Sequence, residues 1–138
     1  MFYPELIEYL RSVTAITDTV ETYDGSPSIF SNEAPEEAEK PYVVVSISGK
    51  KTPDSTIIFG DIMIDYYDFD KSRVVSDAFD TELENALDSM KMQSERLSDI
   101  RLDLSSSGHV EDSDPRNIHF NAIYSFRGIR CKWMQDTQ

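Results

Sequence analysis

Two histidines, one cysteine and a large excess of carboxylates are the side chains of this 138-residue chain whose types invite chemistry. His109 and His119 stand ten residues apart, and with Cys131 they match no zinc-ligand spacing. Ser105, Ser106 and Ser107 beside His109 have the types of a nucleophile and its base, yet a polar connection between two strands explains them with less effort. Asp61 and Asp65 fall on one face of an extended segment, with Asp68 and Asp70 close behind. Carboxylates so placed suit a divalent cation or acid–base work, and they also arise on any solvated strand of a very acidic protein. Glu111, Asp112 and Asp114 share only their charge with a calcium loop, because the glycine and terminal glutamate are missing. The five glycines are scattered and form no phosphate-binding loop. The expectation is a protein with no catalytic residues, no metal and no cofactor. Phe2, Tyr3 and Trp133 are left as exposed-aromatic candidates, either for docking or for covering a sheet edge.

Charge is the strongest signal in the composition. The formal net charge is −13, which argues against ordinary duplex binding, since phosphates are neutralised by surplus Lys and Arg. The sign is uneven along the chain. Residues 61–114 hold 15 acids against 5 Lys or Arg, whereas 115–135 hold no acid and carry Arg116, Arg127, Arg130 and Lys132. Such asymmetry suits a self-associating or stacking protein. One cysteine excludes an internal disulfide, the first residues lack the pattern of a secretion signal, and no apolar run approaches transmembrane length. These features predict a soluble, cytosolically made protein without a membrane partner.

The elements that position these residues follow from apolar periodicity. Residues 3–12 predict a short helix, with Pro4 and Glu5 suited to its first turn and Leu6, Ile7 and Leu10 on one stripe. Tyr23 to Pro27 is a turn. Pro41 pushes its predecessor toward extended geometry, and Tyr42 to Ile47 has strand composition. A second strand covers about 56–68, with Ile58, Gly60, Ile62, Ile64 and Tyr66 on one face and Asp61, Met63, Asp65 and Tyr67 on the other. From residue 71 the period becomes helical, through Val74, Val75, Ala78, Phe79, Leu83, Ala86, Leu87 and Met90. Ile100, Leu102 and Leu104 alternate as a third strand, the hydrophilic run from Ser105 to Asn117 connects it, and Ile118 to Phe126 form the fourth, ended by Gly128. The predicted order is α-β-β-α-β-β: an α+β fold with a single antiparallel sheet of about four strands and two helices on one face. At this length one domain, 1–138, is expected, with a mobile acidic loop at about 31–40 and a short C-terminal tail from about 129.

The order of elements, together with the stretch Ile29-Phe30…Ala34-Pro35…Pro41-Tyr42-Val43-Val44, the acidic helix and the Asn117-to-Phe126 strand, resembles the tail completion or tail terminator proteins of long-tailed bacteriophages. The resemblance spans nearly the whole chain, through a loose motif without a chemical signature. It implies an α/β fold and a six-membered ring at the head-proximal end of the tail tube. Such a ring ends tube growth and joins the tail to the neck, with the tail tube protein and a neck or head-completion protein as partners. It also implies assembly in the host bacterial cytoplasm and a place in the virion tail or neck. DNA would pass through the pore without specific binding, and an acidic wall would keep it mobile. Residues matching the loop motif are Ile29, Phe30, Pro35, Pro41 and Tyr42. The departures are the acidic run Glu33, Glu36, Glu37, Glu39 and the basic, Trp-containing tail.

The interface candidates are accordingly Ile29, Phe30, Glu36, Glu37, Tyr42, Arg127, Arg130, Lys132 and Trp133. The alternatives are another head–tail connector or neck component, an acidic module that mimics DNA to inhibit a nucleic-acid enzyme, and an enzyme built on Asp61 and Asp65. A DNA mimic needs carboxylates on one solid face, and a carboxylate enzyme needs Asp61 and Asp65 in a pocket.

Overall fold

The computed structural model describes residues 2–50, 56–70, 73–94 and 97–131. The chain opens with α1 (Tyr3–Ser12) and a single turn, α2 (Thr14–Thr17). Glu5 lies at the positive end of α1 and Arg11 at its negative end, while Leu6 and Leu10, one turn apart, are buried beneath it. Val13, in extended geometry, separates the two helices. A small hairpin follows, β1 (Thr22–Tyr23) and β2 (Ser26–Pro27). Its two-residue connection, Asp24-Gly25, has positive φ at both positions, as a tight hairpin with right-handed strand twist requires.

Among the described residues the main sheet has six strands: β3 (Ile29–Ser31), β4 (Tyr42–Lys50), β5 (Ile57–Phe69), β6 (Lys91–Met92), β7 (Leu97–Val110) and β8 (Asn117–Arg130). Their spatial order is β3-β4-β5-β8-β7-β6. Every pair is antiparallel except β3 with β4, where Ile29, Phe30 and Ser31 lie beside Val43, Val44 and Val45. Between β5 and β6 the chain forms α3 (Arg73–Leu87). Ser89 takes a left-handed conformation just beyond its end, which stops the helix.

One face of the sheet carries the core. Ile58, Ile62, Ile64 and Tyr66 of β5 and Phe120, Ala122, Tyr124 and Phe126 of β8 are buried against Leu6, Leu10 and Ile16 from the first helices and Phe79, Leu83 and Leu87 from α3. Tyr66 stacks on Phe79 with ring centroids 4.6 Å apart. The alternation read in the sequence for residues 58–66 and 118–126 therefore has the phase seen here. The opposite face carries no described helix.

The predicted single four-stranded antiparallel sheet with two helices is overturned. The described residues form a six-stranded mixed sheet, a separate two-stranded one and three helices. Ile29–Ser31, read as the anchor of a loop, is a parallel edge strand. Residues 105–110, read as connection, continue β7, because β8 supplies partners for Ser106 to Val110 after a bulge at Leu104. Gly128 continues β8 opposite Ile58. In α3 the buried stripe is Ser76, Phe79, Leu83 and Leu87, and Val74, assigned to the core from its spacing, is 72% exposed.

Candidate interaction surfaces

The helix-free face of the sheet presents two groups of side chains, organised in cross-strand rows. The first is an aromatic ladder. Tyr23 meets Phe30, Phe30 meets Tyr42, Tyr42 meets Tyr67 and Tyr67 stacks on His119, at centroid distances of 5.7, 6.2, 5.4 and 4.5 Å. Strand pairing places Tyr42 opposite Tyr67 and Tyr67 opposite His119, so the ladder is a direct product of register. His119 Nε2 lies 2.7 Å from Asp65 Oδ1, which also accepts from Asn121 Nδ2 at 2.9 Å. At the end of the ladder, Lys40 and Arg116 stand over the ring of Phe69 at 5.9 and 5.2 Å.

The second group is basic. Register aligns Lys91, Arg101, Arg127, Phe59 and Lys50 in one row across β6, β7, β8, β5 and β4. Lys91, Arg101 and Arg127 line a shallow cleft of about 360 Å³ together with Asp99 and an apolar floor of Ile57, Gly128 and Ile129. Phe59 is 59% exposed, Ile57 47% and Ile129 42%. No single window of sequence reveals this row, since its members come from five strands. Sequence reading found only Arg127 among its cations.

At the opposite edge of the sheet, β3 is held by side chains from α1. The Arg11 guanidinium donates to the Ile29 carbonyl at 2.8 Å. The Tyr3 hydroxyl donates to Asn32 Oδ1 at 2.9 Å and accepts from the Ile47 N–H at 2.7 Å, which caps β4 just where β3 ends. The chain then runs through residues 32–41, pinned by Asn32 N–H to the Val45 carbonyl and by a turn from Pro35 to Ala38. Glu33, Glu36, Glu37 and Glu39 are exposed along it. A cleft of about 680 Å³ lies between this segment and α1, lined in part by Tyr3, Ile7, Arg11, Phe30 and Pro35.

The residues singled out from the sequence are thus dispersed. Ile29 is fully buried, Phe30 and Tyr42 are rungs of the ladder, Glu36 and Glu37 project from the loop, and Arg127 sits in the basic row. Arg130 is partly buried opposite Leu97. Lys132 and Trp133 lie outside the described residues. Phe2, offered as an exposed aromatic, is buried edge-on against Phe126 at 4.9 Å.

The groups weighed for chemistry have structural partners. Asp65 is occupied by His119 and Asn121, while Asp61 lies exposed four residues away. His109 turns toward α3, where its Nε2 meets the buried Ser76 Oγ at 2.9 Å and Asp77 at 3.9 Å. Serine, histidine and aspartate are thus together, but without a relay. Serine and aspartate face the same ring nitrogen, and the Ser76 hydroxyl already donates to the Arg73 carbonyl. The contact fastens the start of α3 to β7. Among the described residues, no group of three or more His, Cys, Asp or Glu is arranged to hold a metal ion. No described helix is long and apolar enough to cross a membrane.

No family model and no curated protein sequence matches this chain. In fold it is similar to a chain from the virion of a native gene transfer agent particle. The likeness covers 88% of this chain and 90% of that one, with a TM-score of 0.68 and 12% sequence identity. At that identity the likeness is one of fold.

Proposed function

We propose that this protein is a non-enzymatic structural component of a phage-like virion. In this reading it forms a ring at the head-proximal end of the tail tube, as a tail terminator does, and joins the tail to the neck. The fold likeness to a virion chain over nearly the full length carries the reading. The distribution of charge supports it, because the exposed acidic segment follows the β3 edge of the sheet while most cations of the basic row lie toward the β6 edge. A protein that repeats around an axis must offer each neighbour two different surfaces, and complementary charge on opposite sides meets that need. With a net charge of −13, such a ring would present a mainly anionic body to DNA passing along its axis and would not trap it.

The test is direct. Purified protein is incubated with tail tubes and imaged by electron microscopy, with native mass measurement of the particles released. A closed ring of identical copies at one tube end is the expected result. A protein that binds neither itself nor the tube, or that decorates the tube along its length, defeats the terminator reading. A ring found at the portal side instead of the tube end would reassign it to the neck.

A further inference from the structure

We propose that the row of Lys50, Arg127, Arg101 and Lys91 is a docking surface for the acidic 33–39 segment of a second copy of this chain. Copies then join head to tail. The inference rests on the ring reading and specifies its contact.

The row is unusual on its own terms. Lys91 is directly opposite Arg101, and Arg101 directly opposite Arg127. Like charges so placed repel, so three in succession oppose folding unless something anionic covers them. The chain has 26 acidic residues with which to do so. Of these, Asp103 pairs with Arg101 at 3.6 Å and Asp99 lines the cleft. Lys50, Lys91 and Arg127 form no ion pair among the described residues. Between the cations lies the apolar floor of Ile57 and Ile129, with Phe59 beside it. The surface therefore fits an extended anionic segment that also carries small apolar side chains.

Residues 33–39, Glu-Ala-Pro-Glu-Glu-Ala-Glu, have that composition. Their carboxylates are exposed and form no ion pair among the described residues. Within its own molecule the segment follows the β3 edge of the sheet, away from Arg127, Arg101 and Lys91. It leaves the sheet at β3 and returns at Tyr42, whereas the row is centred on β8, β7 and β6. Three to five strand intervals of about 4.8 Å separate the two edges. Along β4 the segment leaves beside Val45 and returns at Tyr42, and the row passes Lys50, roughly 17 to 27 Å further at strand rise. Complementary surfaces on opposite sides of one molecule make a heterologous contact, which closes into a ring when the rotation between copies allows it.

The experiment compares wild type, Glu36→Lys/Glu37→Lys, Lys91→Glu/Arg127→Glu and an equimolar mixture of the two variants. Self-association is followed by sedimentation velocity at low and high salt, alone and with tail tubes. Wild type is expected to associate, and each reversal to weaken association by about tenfold or more. The mixture should recover, because in an alternating assembly every contact again pairs opposite charges. Thermal melts check the fold, and Glu36→Gln/Glu37→Gln with Lys91→Gln/Arg127→Gln replace any reversal that does not fold, with a smaller loss. Variants that associate as well as wild type overturn the docking surface and leave the ring reading standing. A wild type monomeric under all conditions overturns the ring reading and the occupant together. Loss in both variants without recovery in the mixture refutes the pairing. Wild-type binding to a duplex oligonucleotide, abolished by Lys91→Glu/Arg127→Glu, would assign the row to phosphates instead.

Discussion

The imidazole of His119 lies on the phenol ring of Tyr67, with centroids 4.5 Å apart and planes 16° from parallel, while its Nε2 reaches Asp65 at 2.7 Å. One side chain thus joins the aromatic ladder to a part-buried carboxylate. Replacing His119 by Ala removes the stacked ring and leaves Asp65 with Asn121 alone. The expected loss is about 1–3 kcal/mol, measured by urea denaturation. Ser125→Ala, on the same face, should stay within about 0.5 kcal/mol. Equal effects at the two sites would show that the His119–Asp65 contact contributes nothing.

Tyr66 and Tyr124 are both fully buried, and burial raises the pKa of each phenol well above its ordinary range. They differ in one bond. The Tyr66 hydroxyl donates to the Thr19 carbonyl at 2.8 Å, whereas the Tyr124 hydroxyl has no hydrogen-bond partner among the described residues. Tyr66→Phe should cost about 1–2 kcal/mol, and Tyr124→Phe should be neutral or stabilising by up to about 1 kcal/mol. Thermal melts of the two variants rank them, and the reverse order would mean that Tyr124 is satisfied.

Gly60 of β5 lies opposite Gly49 of β4. A Cβ at Gly60 would strike the Ser48 carbonyl oxygen and come within 2.6 Å of the Gly49 Cα. Both are backbone, so no side chain can swing aside. Gly60→Ala should therefore destabilise by about 3 kcal/mol or more, and Gly108→Ala, with open space around it, by far less. Chemical denaturation distinguishes the two, and a mild Gly60→Ala would mean that the strands separate there freely.

Asp80 sets a pH dependence. Burial is the main cause holding its carboxyl above the usual aspartate range, and the neighbouring charge of Asp77 adds to the rise, against the hydrogen bond from Ser107 and the pull of His109. The folded protein thus holds this proton more tightly than the unfolded chain. Stability from Asp80 is present below the ordinary aspartate value and is lost as pH rises through the raised one. Asp80→Asn should be more stable than wild type at neutral pH, and the difference should shrink on acidification. Asp112 and Asp114 act oppositely. Their pKa values are lowered by hydrogen bonds, chiefly from the Asp114 backbone and from Arg116 respectively, so their contribution is lost as pH falls. Melting temperatures of wild type and Asp80→Asn across the acid range test this, and parallel curves would count against it.

The elements legible in the sequence were those whose period is long enough to read. Residues 58–66 and 118–126 alternate over many positions, and Phe79, Leu83 and Leu87 repeat at helical spacing, so their buried faces follow from pattern alone. Ile29–Ser31 has three residues and no period, and it becomes a strand only because Val43–Val45 lies alongside. Ser105 to Gly108 reads as connection because serine and glycine have low strand propensity, which pairing with β8 overrides. Val74 and Val75 have the residue type of a core, but the stripe that packs is Ser76, Phe79, Leu83 and Leu87, and both valines are exposed beside it. The interaction surfaces were legible only in fragments. The acidic segment is continuous in sequence, but the cation row exists only once register has brought β4 to β8 into line.

The position of β8 also governs when the molecule can come into being. β8 lies between β5 and β7 and, with β7, supplies the floor on which α3 rests, yet it is the last described strand in chain order. Of the major pairings, β4 with β5 and β7 with β8 are hairpins that join near neighbours, while Ile57 must wait for Ile129. Synthesis adds roughly 5–20 residues per second, so β5 and α3 spend several seconds made but without their partner. During that interval the apolar sides of β5 and α3 have each other and the β4–β5 hairpin, but not Phe120, Ala122, Tyr124 and Phe126 of β8. The nascent chain is therefore most vulnerable to aggregation and proteolysis just before β8 emerges, and its core is complete only afterwards.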